Sequence, residues 1–535
     1  MLPQKNFKDY SARLLKAEQS IVLVKKEALI RIALVFPNSY QVGMSNLGFQ
    51  EVFRQFNRHP QITCERSFDY PPPLHQSALT LETGHPLREC DIIAFSVAYE
   101  LDYPNIVKIL MNAQLPPLAS ARNDWHPLVI AGGVVTMLNP TPLAPFIDVF
   151  LFGEAQPLIE AFIKIILANK ADGLKSSRCL EQLAQHPSCW VPRLEVETEI
   201  QKQIQRDRRD QPIQSSVISP WHHFKNMHLI EVGRACGRGC YFCAASYIYR
   251  PTQFFPTEKI KELAQNNPFQ TRRIGLIGSA LSDFPQLTEL CRRLVESNFQ
   301  LGLSSFRMDK ITPEFMAILE NAGIRSLSLA PEAGTERLRR IIHKQLTDEQ
   351  IITALETLKH ASITHLKFYF IIGLPFETPA DIEGIIVLVQ KAINILTNRF
   401  QIAVSINAFI PKPMTPFQWC PMATEKDLKH IRQYITHALR RFKNVTVMRK
   451  SIREELLQTL FSQGDQRVGH LLLRQVEKGA NWKSLFNQNR EMVVSFVWRE
   501  KDMNTTLPWD FLKYPVPKQR LRKLWEKIRT DFLTD

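Results

Sequence analysis

The sequence predicts an α/β protein with two successive parallel-sheet domains and a mostly helical, basic C-terminal region. Three observations predict it. Short, continuous apolar runs rich in β-branched residues recur with helix-length segments between them, the pattern of strands covered on both faces by crossover helices. Several runs stop at glycine, as at Gly132-Gly133 and Gly153-Glu154. The alternation lapses over residues 167–226 and then resumes.

In residues 1–166 the apolar runs are 29–36, 91–98, 128–132 and 148–152. They predict a Rossmann-like parallel sheet, whose carboxyl-edge turns are where such sheets bind ligands. Residues 167–226 are polar and mixed around Arg206-Asp-Arg-Arg-Asp-Gln-Pro212, which reads as a linker. In residues 227–420, strands are expected at 227–232, 273–277, 300–303, 326–330 and 366–372. Helices are expected at 284–297, 312–322 and 347–361. Strands each followed by a helix make a βα barrel or part of one, with chemistry at the strands' C-terminal ends. A further β-rich run at 402–410 leads into a stiff aromatic connection, 411–419. Residues 421–535 read as mainly helical, ending in a basic helix around 518–529.

A chain of 535 residues is too long for one core, and about three domains are expected. An apolar share of 44% and a charged share of 22% are those of a soluble globular protein. No run reaches the roughly 18 apolar residues of a membrane helix, and the start has no signal-peptide core. A cytoplasmic protein with no membrane partner is therefore expected. Nine cysteines make no disulfide framework in so long a chain, and Cys64, Cys90, Cys179, Cys189, Cys291 and Cys420 read as scattered thiols. The net charge of +15 is uneven, with 23 Lys and Arg against 13 Asp and Glu in residues 421–535. That surplus suits RNA or another polyanion, and equally a solvated basic surface.

The most informative stretch is Gly233-Arg-Ala-Cys236-Gly-Arg-Gly-Cys240-Tyr-Phe-Cys243-Ala. Three thiols within eight residues, interleaved with glycine, can wrap one metal centre. Three ligands are one short of the four that structural zinc or a cubic iron–sulfur cluster requires. A zinc site would need a fourth ligand, and the nearest candidates, His222 and His223, lie across the preceding strand.

This C-x₃-C-x₂-C loop, with Phe242 before the third cysteine and a strand before the first, resembles that of the radical S-adenosylmethionine (SAM) superfamily. The resemblance implies a partial (β/α)₆ barrel and a 4Fe-4S cluster held by Cys236, Cys240 and Cys243. The open iron would chelate the amino and carboxylate groups of SAM. Reductive cleavage of SAM would then start radical chemistry on a substrate. It further implies an electron donor of flavodoxin or ferredoxin type. Where many members have a Gly-Gly-Glu-Pro-like turn, this chain has Gly275-Leu-Ile-Gly278-Ser279-Ala280-Leu-Ser282-Asp283, so Gly278 and Ser279 would act through backbone atoms. Ser304-Ser305-Phe-Arg307 ends a strand; there Arg307 would neutralise the SAM carboxylate, or pair with Asp309, and Ser305 would lie beside it. Glu332, in a turn resembling the family's Glu-Ser-Gly, would meet the SAM ribose or amino group, or favour a helix N-terminus. Phe370-Ile371-Ile372-Gly373-Leu374-Pro375 resembles the adenine-pocket motif, with Ile372 and Gly373 against the base. Glu377 would begin the next helix.

The order of domains resembles the subclass with a cobalamin-binding domain. Matching stretches are Asp91-Ile-Ile-Ala-Phe-Ser96, Ile130-Ala-Gly132-Gly133, Asp148-Val-Phe-Leu-Phe-Gly153-Glu154, Pro411–Trp419 and Phe461-Ser-Gln-Gly-Asp-Gln-Arg467. One departure stands out: the Asp-x-His-x-x-Gly signature that supplies an axial histidine to cobalt is missing. The corresponding stretch is Phe36-Pro-Asn38-Ser-Tyr40-Gln-Val-Gly43-Met-Ser-Asn46. Cobalamin would have to bind without that ligand, or the domain keeps its sheet without the cofactor. The expected function is radical SAM chemistry, with methyl transfer if cobalamin binds. The alternatives are RNA modification without cobalamin and a non-catalytic iron–sulfur protein. Substrate and oligomeric state are not read from the sequence.

Overall fold

The computed structural model describes residues 2–194, 199–204, 212–304, 306–396, 399–513 and 515–532. The first sheet contains β1 (Ile30–Phe36), β2 (Ile62–Phe68), β3 (Ile92–Ser96), β4 (Leu128–Gly132), β5 (Val149–Leu151) and β6 (Cys189–Trp190). Its spatial order is β2-β1-β3-β4-β5-β6, parallel except for β6 at the edge. The order reverses between β1 and β3, where open α/β sheets leave a crevice at their carboxyl ends.

Alternation along these strands sorts side chains into two cores. Ile32, Leu34, Ala94, Ile130 and Leu151 join one core with the helices Leu47–Arg58 and Ala155–Ala168. Ala33, Val35, Ile93, Phe95, Val129 and Phe150 face the other way, into a core continuous with the second domain. Each fully buried aliphatic or aromatic side chain contributes about 1.5–3 kcal/mol, so the two domains are joined by a hydrophobic seam.

β2 has no counterpart in the apolar pattern. Its sequence, Ile62-Thr-Cys-Glu-Arg-Ser-Phe68, is buried at every position. The charges inside it are paired: Glu65 with Arg31, and Arg66 with Glu18 at 2.7 Å and Glu82 at 2.6 Å. A buried cation held by two carboxylates makes a core strand read as a polar loop.

The stretch 167–226, expected as a linker, largely completes the first domain. The helix Ser177–Gln185 buries Cys179, Leu180 and Leu183 against it, and β6 extends its sheet. Val217–Ile218 pairs with Gln19–Ser20, closing the N-terminal helix onto the domain. These pieces are too short to show periodicity, which is why they read as irregular. The charged centre of that stretch, residues 206–211, falls outside the described residues.

The second domain runs β7 (His228–Arg234), β8 (Gln253–Phe254), β9 (Arg273–Gly278), β10 (Gln300–Leu303), β11 (Ser326–Glu332), β12 (His365–Ile372), β13 (Gln401–Ala408) and β14 (Val445–Arg449). Two four-stranded groups form, β8-β7-β9-β10 and β11-β12-β13-β14, parallel apart from β8. A parallel bridge between Phe306 and Leu329 links them. The parallel α/β character is the expected one, but the sheet continues past residue 420, because β14 pairs with β13. In β12 the residues facing the helices are buried, while Lys367, Tyr369 and Ile371 are half-buried on the inner face.

The remainder is helical and packs on both sheets. Tyr103 stacks on Phe461 with ring centroids 5.6 Å apart. Asn139 donates to the carbonyls of Ser462 at 3.1 Å and Gly464 at 2.7 Å. Glu100 pairs with Lys412 and accepts from Gln458 at 3.0 Å. No helix among the described residues is long and apolar enough to cross a membrane.

Candidate active site at the carboxyl edge

β7 delivers the cysteine loop to the carboxyl edge of the second sheet, and Ala235 turns it with φ of +66°. Cys240 is buried, and Cys236 and Cys243 are partly so. Burial pushes the Cys240 thiol up to about 12 and raises that of Cys243 as well; mutual repulsion adds to both, and the nearby Lys344 ammonium works against it. The thiols are thus close enough to feel one another's charge. No three His, Cys, Asp or Glu side chains among the described residues are arranged around a single metal ion. An iron–sulfur cluster would take these cysteines as thiolates. His222, the candidate fourth zinc ligand, is committed elsewhere: it is buried 3.4 Å from the Tyr40 hydroxyl, and desolvation pushes its imidazole down to about 4.

The loop is fixed by contacts from distant segments. Arg238 donates to Asp283 at 2.8 Å and lies 3.9 Å from Asp309. The Arg238 carbonyl sits 3.1 Å from His343 Nδ1, and the ring of Tyr241 stacks on His343 at 4.9 Å. Tyr247 donates to the Gly239 carbonyl at 2.9 Å. Tyr241 also meets Phe417 edge-on at 5.9 Å, which brings the 411–419 connection against the loop. Of these partners, only that aromatic connection was visible as a feature of the sequence; Arg238, Asp283, His343 and Lys344 carried no local signal.

Among the candidate SAM residues outside the loop, Glu332 is one whose charge bears on the thiols. Its carboxylate influences both Cys240 and Cys243 and is paired with Lys344 at 3.0 Å. It does not start a helix, since Thr335 caps the next one, Glu336–Ile341. Arg307 pairs with Asp309 at 2.8 Å, the second of its two expected roles, and its N–H donates to Ser282 Oγ at 3.0 Å. Ser305 falls outside the described residues. Its neighbour Ser304 has a buried hydroxyl without a hydrogen-bond partner, a polar atom that a ligand at this edge could satisfy. Gly278 ends β9 beside Gly233, and Ser279 is exposed just beyond it. Phe242 is half-buried against the core.

At the end of β12, Ile372 is fully buried and Ile371 is the half-buried neighbour. Strand alternation therefore gives Ile371, not Ile372, the side chain on the inner face. Gly373 has φ of +73°, and a Cβ there would lie 2.8 Å from that of Ala423. Its N–H donates to the Glu377 carboxylate at 2.6 Å. Burial pushes that carboxyl up to about 8. Glu377 ties down the strand end, while the helix expected to begin there starts at Pro379.

Two cavities adjoin the loop. One, of about 700 Å³, is bordered by Gly237, Arg238, Ser282, Asp283, Phe306 and Asp309. The other, of about 490 Å³, is an apolar slot on the first sheet. Leu34, Ala94, Ile130 and Leu151 form its floor, and Val52, Phe56, Leu158 and Ile159 its helical walls. It opens at the crevice between the domains, where Gly133, Gly153, Glu154, Arg234, Gly278 and Ser279 border it. Gly133 has φ of +120°, and a Cβ there would lie 2.3 Å from the Val97 carbonyl oxygen, so only glycine fits that rim. Arg234, the last residue of β7, pairs across the crevice with Glu154 at 2.9 Å. No histidine borders the slot.

Two family models match the chain. Residues 48–192 match "Radical SAM proteins, N-terminal", and residues 230–389 match the radical SAM superfamily. The uncharacterized protein MJ0966 of Methanocaldococcus jannaschii is 27% identical over 446 residues, spanning 82% of this chain and 90% of that protein. Among solved structures, the cobalamin-dependent SAM radical enzyme OxsB with aqua-cobalamin bound aligns at a TM-score of 0.50. That alignment has 12% identity and covers 95% of this chain and 80% of OxsB, a likeness of fold. The radical SAM methyltransferase TsrM from Kitasatospora setae aligns at 0.47 with 14% identity, over 72% of this chain and 74% of TsrM.

Proposed function

From the premise that the chain belongs to the radical SAM superfamily, we propose that it is an enzyme that cleaves SAM reductively at the cysteine loop. The observation that carries this reading is that β7 delivers the C-x₃-C-x₂-C loop of Cys236, Cys240 and Cys243 to the carboxyl edge of the second sheet, the edge at which β11 ends in the paired Glu332. A 4Fe-4S cluster bound by those thiolates would supply one electron to break the sulfonium carbon–sulfur bond of SAM. The chain's own residues then have distinct tasks. Arg238, held by Asp283, and Tyr241, stacked on His343, keep the loop in one orientation. Glu332 offers a carboxylate to the SAM amino group, and Ser304 a hydroxyl to a polar atom of the same ligand. Gly278 leaves its backbone open to close approach. Tyr369 and Ile371 give the inner face an apolar lining that limits water around a reactive species.

The test is anaerobic reconstitution with iron and sulfide, followed by dithionite and SAM. Formation of 5′-deoxyadenosine is expected; an intact cluster that yields none would instead favour the non-catalytic iron–sulfur alternative.

The apolar slot favours a second layer of this reading, in which a corrinoid would be held by the glycine rim of Gly133 and Gly153 and by the slot's apolar walls. When bound, such a group carries a methyl group, so the reaction would be methyl transfer. With no histidine on the slot's border, this chain offers cobalt no imidazole there. Expression with hydroxocobalamin should yield protein with a near-stoichiometric corrinoid spectrum. Protein with a full cluster but no corrinoid bands would leave SAM cleavage standing and remove methyl transfer.

A further inference from the structure

The C-terminal helix Lys518–Phe532 lies across the edge that carries the cysteine loop. Its buried face is Leu521, Trp525 and Ile528, an i, i+4, i+7 stripe. Trp525 meets Phe376, just past the end of β12, at 5.9 Å, and Phe417 at 5.7 Å. Phe417 in turn touches Tyr241, the residue that follows Cys240. Two ring contacts therefore separate the cysteine loop from the body of this helix.

Six of its residues are basic and two acidic. Lys518, Arg522 and Arg529 are paired with Asp510, Glu526 and Glu500. Arg520, Lys523 and Lys527 are exposed, at i, i+3 and i+7, and carry no ion pair among the described residues. That spacing places three uncompensated positive charges in one stripe, on the side turned away from Trp525.

We propose that Arg520, Lys523 and Lys527 form the docking surface for an acidic one-electron carrier protein that reduces the centre at the cysteine loop. The inference rests on the SAM-cleaving reading above. A charged stripe steers an oppositely charged partner and raises its rate of encounter. This stripe brings the partner over a packed route to Cys240, through Trp525, Phe417 and Tyr241. The transfer moves one electron: the reduced carrier is oxidised by one, and the metal centre is reduced by one. RNA is disfavoured here because a nucleic-acid surface interleaves its charges with exposed rings that stack on bases. The large aromatic of this helix, Trp525, is buried.

The experiment compares the full chain with its R520E/K523E/K527E variant, using FMN-loaded flavodoxin as the probe. In calorimetric titration at about 50 mM salt, where screening is weak, the variant should bind flavodoxin at least about tenfold more weakly. Formation of 5′-deoxyadenosine with reduced flavodoxin should fall in step, while formation with dithionite stays unchanged. The neutral variant R520Q/K523Q/K527Q should lie between the two. Unchanged flavodoxin affinity in the charge-reversed variant would overturn the proposal. So would loss of binding to a labelled single-stranded RNA with flavodoxin binding intact. A wild type inert with dithionite but still binding flavodoxin through this stripe would strike the SAM reading and not the surface.

Discussion

At the carboxyl edge of the first sheet β4 ends in Gly132 and Gly153 soon follows β5, and the edge opens onto an apolar slot; at that of the second, β7 leads into the thiols and β11 ends at the paired Glu332. Both edges are built from parallel strands with crossover helices, so the backbone does not account for the contrast. The side chains that follow each strand do. Gly133 and Gly153 make room, whereas Cys240, Glu332 and Arg238 make bonds and fields. One edge selects by shape and the other acts by charge.

The contrast can be broken most severely at the second edge. Replacing Cys236, Cys240 and Cys243 together by Ala should reduce bound iron from about four atoms per chain to none and abolish 5′-deoxyadenosine formation, with the fold kept by circular dichroism. At the first edge the corresponding lesion is steric. Gly133→Val should destabilise the domain by about 3 kcal/mol, because the new side chain meets the Val97 carbonyl at a left-handed φ. Urea unfolding would read this, and a wild-type midpoint would show that the rim is not tight.

A smaller effect lies at Glu377. Its carboxyl holds its proton up to about 8 in the folded chain, while the unfolded chain releases it near 4.5. Folding is therefore penalised progressively as pH rises through that window, and the penalty is complete above about 8. Relative to Glu377→Gln, the wild type should lose about 2 kcal/mol between pH 4.5 and 8, less than full burial would cost because the side chain keeps some exposure. Parallel stability curves for the two proteins would contradict this. The smallest effect is expected at the exposed pair of Arg522 and Glu526, where Arg522→Ala should shift stability by less than about 0.5 kcal/mol, within the error of a thermal melt.

The same contrast explains what could be read in advance. Cys236, Cys240 and Cys243 sit within eight residues on one loop, directly after the short strand β7 with Leu229, Ile230 and Val232, so the centre is a local signal. The glycine-ended strands β4 and β9 are local signals too. The partners of the centre are not: Asp283, His343 and Lys344 reach Arg238, Tyr241 and Glu332 across intervening strands and helices, and single side chains carry no periodicity. β2 stayed hidden because Glu65 and Arg66 are compensated only by Arg31, Glu18 and Glu82, three distant residues. Ile371 and Ile372 are alike in composition, and only the register of β12 decides which one faces inward.

The bridge between Glu154 and Arg234 spans the two edges at the root of the cysteine loop. Arg234 is also held from its own strand by Glu231, at 2.6 Å. Anything that filled the crevice and drew Glu154 aside would shift that guanidinium's restraint toward Glu231, in the strand that leads into the loop. An occupant that displaced Glu154 would thereby couple the shaped edge to the charged one. By reciprocity, whatever straightens the loop tightens or loosens the grip on the crevice's contents by the same factor.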